Sequence, residues 1–287
     1  MKKFAVIDIG SNSVRLMFVA DGKVLYKALN TTRLGEGLAD KPLLKMEAIE
    51  RSAKAVCDFH AQALAEGAQQ VYAFATAAVR SAENRQLFLD KVEKDCGLRI
   101  EVISGEEEAE IGILGALGNA DGGVIDIGGA STEIVIKQSG VMLYKKSINI
   151  GFVRLKDRCG RDRQALYEVA KNAVKEYGNV PGATMYAIGG TATTLAALQL
   201  GLQTYSSEKI TGSVITAEEM QALSDKLLSM SVEDIAKLPC MPKGRADVLT
   251  GGAVLFTVLM KELGITRLIV SDRDNLEGYA IKKGYME

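Results

Sequence analysis

The chain has 287 residues, of which 47% are hydrophobic and 25% charged, a composition typical of globular proteins with about one or two domains. Its 35 basic and 36 acidic residues give a net charge of −1, which argues against overall electrostatic binding to nucleic acid. The sequence has neither an apolar stretch of membrane-spanning length nor a signal-peptide core, so we expect a cytoplasmic protein. Four dispersed cysteines and a single histidine, His60, argue against a zinc site, a disulfide framework and a histidine-based triad.

The first predicted elements recur later in the chain. An apolar strand ends in Asp-Ile-Gly at Asp8, and a matching strand ends in the same tripeptide at Asp126, 118 residues further on. Each is followed by a predicted β-hairpin, over residues 14–29 with an Asp-Gly turn and over residues 133–147 with a Ser-Gly turn. The constant spacing indicates an internal duplication of one α/β unit.

The spacing of apolar residues predicts helices between these strands. They cover residues 45–66, 82–95, 106–117, 162–177, 217–230 and 246–263. A second internal similarity relates residues 72–79 to residues 186–193. Each segment suits a strand, a turn of small residues and the start of a helix. We therefore expect two α/β domains, residues 1–119 and 120–287, with the last helix packing back on the first domain.

The two Asp-Ile-Gly turns carry groups that suit phosphate binding. Glycines after a buried strand let backbone N–H groups approach an anion closely. Side-chain donors follow in both copies, namely Ser11, Asn12, Ser131 and Thr132. The aspartates end their strands, where a carboxylate can hold a metal ion or a metal-bound water. One such turn is usually the polar tip of a hairpin, but two copies facing each other would form a phosphate clamp.

Two further features suit an anion but have plain structural alternatives. Gly190 and Thr191 begin a helix after a predicted strand, which suits a phosphate turn or a tight strand-to-helix connection. Arg80 follows a run of small residues and can reach a phosphate in a cleft, although an arginine at the surface is more common.

Acidic residues follow at the start of the predicted helix 106–117 and at the second turn. Ser104 and Glu107 have the spacing of a capping box, which explains them structurally. Glu108 lies one residue further on, and spacing alone does not make it a general base. Glu133 starts a strand, where it points either into a cleft or to solvent.

Together these segments resemble the exopolyphosphatase and guanosine pentaphosphate phosphatase family, within the actin and sugar-kinase superfamily. The matching segments occur in family order over nearly the whole chain, at residues 8–16, 75–80, 103–109, 126–133, 151–155, 189–195 and 244–247. The resemblance implies two duplicated actin-like (ribonuclease H-like) α/β domains with a cleft between them. It also implies hydrolysis of a terminal phosphoanhydride bond in inorganic polyphosphate or guanosine pentaphosphate, with a divalent metal, normally Mg²⁺.

The resemblance also implies roles for individual residues. Glu108 matches the glutamate that activates the water, while Glu133 and Asp126 match acidic residues that assist through the water or the metal, Asp126 being the tentative metal ligand. Arg80 matches the arginine that binds the substrate phosphate. The remaining substrate-binding candidates are Asp8, Ser11, Asn12, Gly128, Gly129, Ser131, Thr132, Gly190 and Thr191.

Two positions depart from the family pattern. Ala130 stands where the family usually has a third glycine, and its methyl group would crowd a phosphate near the backbone. Residues 270–278 replace the usual Arg-Glu-Gly version of that segment, which leaves the contacts of this loop open. The chain also ends after the two-domain core, from which we expect distributive action on shorter substrates.

Two alternatives to this hydrolase remain open. An ATP-dependent kinase or ATPase of the same superfamily would share the phosphate turns, but residues 75–80 and 103–109 argue against it. A non-catalytic sensor of polyphosphate or of guanosine tetra- or pentaphosphate is compatible with Ala130 and the altered loop. A homodimer is expected by analogy alone.

Overall fold

The computed structural model describes residues 2–39 and 41–286, and its first sheet begins with the buried N-terminal strand. This sheet consists of β1 (Lys3–Ile9), β2 (Ser13–Ala20), β3 (Lys23–Thr31), β4 (Gln70–Ala75) and β5 (Glu101–Val102). The strand order is β3-β2-β1-β4-β5, with β1 antiparallel to β2 and parallel to β4. Six of the seven β1 residues are buried, as the apolar run predicts for a central strand.

The second sheet repeats this arrangement. It consists of β6 (Gly122–Ile127), β7 (Thr132–Gln138), β8 (Val141–Ile148), β9 (Met185–Ile188), β10 (Val214–Thr216) and β11 (Arg267–Val270). Its order is β10-β11-β9-β6-β7-β8, so the hairpin, the central strand and its parallel neighbour correspond to those of the first sheet. The duplication predicted from the sequence is therefore confirmed.

Both predicted hairpin turns are confirmed in detail. Asp21 and Gly22 have φ angles of 48° and 76°, and Ser139 and Gly140 have φ angles of 52° and 74°. Two consecutive residues with positive φ define the type I′ turn, which matches the twist of the strands it joins.

The helices cover most of the segments predicted for them. In the described residues they are α1 (Met46–Ala65), α2 (Ala77–Ser81), α3 (Arg85–Cys96), α4 (Gly105–Leu117), α5 (Phe152–Cys159), α6 (Arg163–Val174), α7 (Gly189–Gln199), α8 (Ser207–Ile210), α9 (Ala217–Ser229), α10 (Val232–Ala236), α11 (Ala246–Glu262) and α12 (Asn275–Lys282). None of them is both long enough and apolar enough to cross a membrane. The sequence analysis did not predict α5.

One predicted helix boundary is wrong. The helix predicted over residues 82–95 begins only at Arg85, because the preceding residues form a break between α2 and α3. The side chain of Asn84 bonds the backbone N–H and C=O of Leu44 at 2.8 and 2.9 Å. This contact with a distant loop takes the place of a helical turn.

Two helices are exchanged between the halves of the molecule. Helix α4 follows the first sheet in the chain but packs on β6, β7 and β8 of the second. Helix α12 ends the chain but packs on β1, where Leu276 and Tyr279 join Phe4 in a buried cluster. The two helices cross closely, since a Cβ at Gly115 would lie 1.9 Å from the carbonyl oxygen of Asp274. The division at residues 119 and 120 stays a prediction.

Candidate active site

A cleft of about 840 Å³ is lined by residues from both halves, at the ends of β1 and β6. Its lining includes most of the predicted substrate-binding residues, namely Asp8, Ser11, Asn12, Gly128, Gly129, Ser131 and Gly190, together with the predicted metal ligand Asp126. The two Asp-Ile-Gly turns nearly touch, because a Cβ at Gly129 would lie 2.7 Å from Ser11 Cβ. An anion bound there is within reach of both turns.

The first turn is held by a partly buried arginine. Asp8 Oδ2 accepts a hydrogen bond from Arg15 Nε at 2.9 Å, and Arg15 also donates to Asp274 from the loop before α12. Burial raises the pKa of Asp8, although the Arg15 guanidinium acts in the opposite direction. Asp8 Oδ1 and both side-chain polar atoms of Asn12 are buried without a hydrogen-bond partner in the described residues. These atoms are available to a ligand.

Within the described residues the aspartate of the second turn forms no ion pair, although the charge of Arg15 acts on it and lowers its pKa against larger effects. Asp126 Oδ2 accepts a hydrogen bond from the neutral amide of Asn275 at 2.9 Å. Burial, followed by the negative charges of Glu108 and Asp274, raises the pKa of Asp126 to about 8. Gly189, with φ of 81°, lets the start of α7 approach, since a Cβ there would lie 2.7 Å from Asp126 Oδ1. A proton or a cation is therefore favoured at Asp126.

Glu108 lies in the first turn of α4 and lines the cleft. Ser104 and Glu107 form the predicted capping box, which fixes the start of the helix. Arg80 Nη1 donates to Glu108 Oε2 at 3.0 Å and to the carbonyl oxygen of Ile103 at 3.0 Å. Burial raises the pKa of Glu108 to about 7 although Arg80 opposes the shift. A carboxyl group with this pKa can exchange a proton near neutral pH.

Glu133 lies just behind the cleft wall rather than on it. Its Oε1 accepts hydrogen bonds from the hydroxyls of Ser131 and Ser147, both at 2.6 Å. Its Oε2 is buried and has no hydrogen-bond partner within residues 2–39 and 41–286. Burial, with the negative charges of Glu108 and Asp126, raises the pKa of Glu133 well above its usual range. Glu133 therefore contacts the cleft through Ser131.

Two of the predicted phosphate-binding threonines turn their hydroxyls into the protein. Thr132 Oγ1 donates to the carbonyl of Ile150 at 2.6 Å, and Thr191 Oγ1 to that of Ile127 at 3.5 Å. Neither is part of the cleft lining, and both are almost completely buried. Spacing from the glycines suggested donors here, but the side chains face the opposite side of the turn.

Comparison with known proteins places this geometry among phosphatases. Residues 19–283 match the Ppx/GppA phosphatase family. The chain belongs to this family. It is 33% identical to exopolyphosphatase 2 of Mycobacterium tuberculosis, over 98% of both chains. It is 30% identical to the guanosine-5'-triphosphate,3'-diphosphate pyrophosphatase of Photobacterium profundum, over 98% of this chain and 58% of that protein.

A solved structure agrees with these relatives. The crystal structure of an exopolyphosphatase from Cytophaga hutchinsonii superimposes with a TM-score of 0.89 over all of both chains, at 25% identity. The predicted fold, two duplicated actin-like α/β units with a cleft between them, is confirmed. Membership in the Ppx/GppA family also confirms the expected enzyme class, a phosphoanhydride hydrolase of the exopolyphosphatase type.

The cleft of this Ppx/GppA protein also contains two arginines that were not among the predicted site residues. Arg15 bridges Asp8 and Asp274 across two elements. Arg245 is 6% exposed and lies over the start of α7, where a Cβ at Gly190 would be 2.6 Å from its Nη1. Burial, with the positive charge of Arg15, lowers the pKa of Arg245 to about 10. Both arginines lie in segments that match the family, which was the available signal.

The departures from the family pattern also line the cleft. Ala130 is buried in the second turn, with its methyl group on the cleft wall. In the altered loop, Asp274 caps α12 and binds Arg15, while Asn275 binds Asp126. The altered residues therefore connect the two turns through α12.

Phosphatases of this family generally depend on a divalent cation, and the cleft suits one. Among the described residues, no three acidic, histidine or cysteine side chains converge as a metal cage. Mg²⁺ does not require such a cage, because it is usually held by one or two carboxylates with substrate phosphates and waters. The partnerless Asp8 Oδ1 and the uncompensated carboxyl of Asp126 fit this pattern.

Proposed function

We propose that the protein removes the terminal phosphate of inorganic polyphosphate, guanosine pentaphosphate or both, by attack of a water on the terminal phosphorus. The observation that carries this proposal is Glu108, a buried carboxyl on the cleft wall whose pKa is raised to about 7. A protein that only bound phosphate would not need a proton acceptor beside the two phosphate turns.

In this mechanism the two turns position the terminal phosphate. The backbone N–H of Gly129 and the hydroxyl of Ser11, from residues that both line the cleft, would donate to the phosphate oxygens. Arg245, which precedes α11, adds a positive charge close to the start of α7. Little covalent help is required, because phosphoryl transfer depends mainly on positioning and charge stabilisation.

Glu108 then accepts a proton from the attacking water as the new P–O bond forms and the bridging P–O bond breaks. Arg80 holds the Glu108 carboxylate in place through the 3.0 Å hydrogen bond. Asp8 and Asp126 would hold Mg²⁺, which neutralises the negative charge that develops on the phosphate oxygens. Glu133 fixes the Ser131 hydroxyl and thereby the second turn.

The test is phosphate release by the purified protein in Mg²⁺ buffer. Tripolyphosphate, long polyphosphate, guanosine pentaphosphate and ATP are supplied in parallel to wild type and to Glu108→Gln. We expect release from polyphosphate or guanosine pentaphosphate that disappears in the variant. Release from ATP alone would support the kinase or ATPase alternative. Binding of polyphosphate without release from any substrate would support a sensor, with Ala130 as the first residue to revert to glycine.

A further inference from the structure

Four arginines from α2, α3 and α5 lie near one another beside the cleft; we call them the arginine cluster. Arg80 lies in the last turn of α2, and Arg85 Nη1 donates to its main-chain carbonyl at 3.2 Å. From the other half, Arg154 Nη2 donates to the hydroxyl of Ser81 at 3.2 Å. Arg158 follows Arg154 by four residues and so lies on the same face of α5.

The cluster carries more positive charge than its neighbours neutralise. Glu108 pairs with Arg80, and Asp157 is the nearby carboxylate that favours the charged form of Arg154. Even so, burial and the positive charges of Arg158 and Arg80 lower the pKa of Arg154. Its Nε is buried without a hydrogen-bond partner in the part of the chain that the structure describes.

Neighbouring basic residues outside the cluster form ion pairs with a carboxylate. Lys156, on the same helix as Arg154, forms an ion pair with Asp247, and Arg33 pairs with the same carboxylate. The excess of guanidinium groups at the cluster is therefore a local feature. Planar guanidinium groups converging from two helices suit a small, multiply charged oxyanion.

The cluster adjoins the cleft at the first residues of α2 and α5, while its arginine side chains lie outside the cleft lining. Helix α2 begins at Ala77 and α5 begins at Phe152, and both residues line the cleft. In-line attack requires the leaving oxygen to lie opposite the attacking water. The remaining substrate chain therefore points away from Glu108, and the released orthophosphate forms on the Glu108 side. Arg80, bound to Glu108, is the residue of the cluster that contacts this side.

We propose that Arg154 and Arg158, together with Arg80, form a second anion site that receives the orthophosphate released at Glu108. The source of this phosphate rests on the proposed hydrolysis, whereas the site itself can be tested by binding alone. Such a site gives the product a route past Glu108 that is separate from the path of the shortened substrate. It also makes free orthophosphate an inhibitor that acts from the product side.

The first test uses inorganic phosphate alone as the probe, titrated into the full chain by calorimetry. Arg154→Gln/Arg158→Gln removes two charges, and Arg158→Gln alone changes one exposed residue. Arg267→Gln removes one exposed charge from β11 as the matched control. We expect the double variant to bind orthophosphate about tenfold more weakly and the single variant to lie between. Tripolyphosphate binding should change less than about twofold, because its anchoring groups lie in the cleft.

The second test is inhibition of hydrolysis by added orthophosphate. The double variant should need about tenfold more phosphate for the same inhibition, with KM for long polyphosphate unchanged. Unchanged phosphate affinity would overturn the proposal. So would equal or greater loss of affinity for long polyphosphate, which would make the cluster a substrate groove. If wild type hydrolyses nothing but the binding difference is observed, the hydrolysis proposal fails and the anion site stands.

Discussion

The two Asp-Ile-Gly turns have the same backbone and the same position in their sheets, yet their aspartates have different partners. Asp8 in the first turn is paired with the guanidinium of Arg15. Asp126 in the second turn receives only the neutral amide of Asn275. The comparison teaches that duplication of a fold preserves where a ligand binds, while the partners of each copy decide its charge.

This difference arises from the exchanged helices. Helix α4 brings Glu108 to the second sheet, and the segment before α12 brings Asp274 and Asn275 between the turns. Three carboxyl groups with raised pKa values, Glu108, Asp126 and Glu133, consequently gather at the second sheet, whereas Asp8 at the first sheet is paired with Arg15. The second sheet therefore offers positions for both a proton acceptor and a cation.

The largest expected effect concerns Glu108, the base on the side with excess carboxyl groups. Glu108→Gln keeps the shape but removes the proton acceptor, so we expect kcat to fall about 1,000-fold. Glu106→Gln is the matched control, since this neighbour is exposed and outside the cleft lining. Phosphate release is measured for both, and substrate affinity by calorimetry. Equal losses in the two variants would show that Glu108 has no special role.

The next largest effect tests the helix exchange itself. Gly115→Ala would place a Cβ 1.9 Å from the carbonyl oxygen of Asp274, where backbone must move, so we expect the free energy of unfolding to fall by about 3 kcal/mol. Gly112→Ala meets only side-chain ends at 3.0 and 3.2 Å and should be milder. Gly182→Ala meets nothing within 4 Å and is the control. Denaturant unfolding measures all three, and equal effects would contradict a tight crossing.

An effect of similar size distinguishes Asp126 from Asp8 by the pH dependence of the free energy of unfolding. Folded Asp126 keeps its proton up to a pKa of about 8, whereas the unfolded chain releases it near pH 4, so the folded state binds the extra proton between these values. The free energy of unfolding therefore falls as pH rises across this window. Asp126→Asn mimics the protonated acid and should remove this contribution, about 4 kcal/mol between pH 5 and pH 8.

The comparison variant is Asp8→Asn, measured like Asp126→Asn by denaturant unfolding at pH 5 and pH 8 without divalent cations. It leaves Arg15 with Asp274 as its remaining carboxylate partner, so we expect it to destabilise the fold at pH 8. A pH dependence of Asp126→Asn identical to wild type would mean that Asp126 is ionised in the folded protein.

The local features of the site could be predicted from sequence, and the contacts between distant residues could not. The two turns, the hairpins and the capping box at Ser104 depend on neighbours within a few positions, which the sequence displays directly. The contact of Arg15 with Asp274 joins residues 259 apart, and that of Asn275 with Asp126 joins residues 149 apart. The spacing of apolar residues along the sequence gives no information on such pairs.

The direction in which a side chain points could not be predicted from the sequence either. Thr132 has the residue type and spacing of a phosphate donor, but its strand register points the hydroxyl at the carbonyl of Ile150. The break before α3 has the same origin, because Asn84 follows a helical pattern and is held instead by Leu44. Tertiary contacts decided these positions against their local preference.

The smallest expected effect compares the two hairpin turns, the most similar parts of the two halves. Gly22 and Gly140 have φ angles of 76° and 74°, and a Cβ would meet no atom closer than 3.9 Å at either position. Gly→Ala therefore costs only backbone strain, about 1 kcal/mol at each turn, and Gly→Asn should restore most of it because asparagine tolerates positive φ.

Unequal losses at the two turns would show where the duplicated halves have diverged. Asp121 braces the second turn by accepting hydrogen bonds from the N–H groups of Ser139 and Gly140 at 2.6 and 3.1 Å. In the first turn Asp21 accepts instead from the N–H of Lys2 at 2.8 Å. If the strain is purely local, thermal unfolding of the two alanine variants will agree despite these different braces. If these hydrogen bonds prevent the turn from relaxing, Gly140→Ala will lower the unfolding temperature more than Gly22→Ala. The reason is that both N–H groups of the second turn are bonded to Asp121.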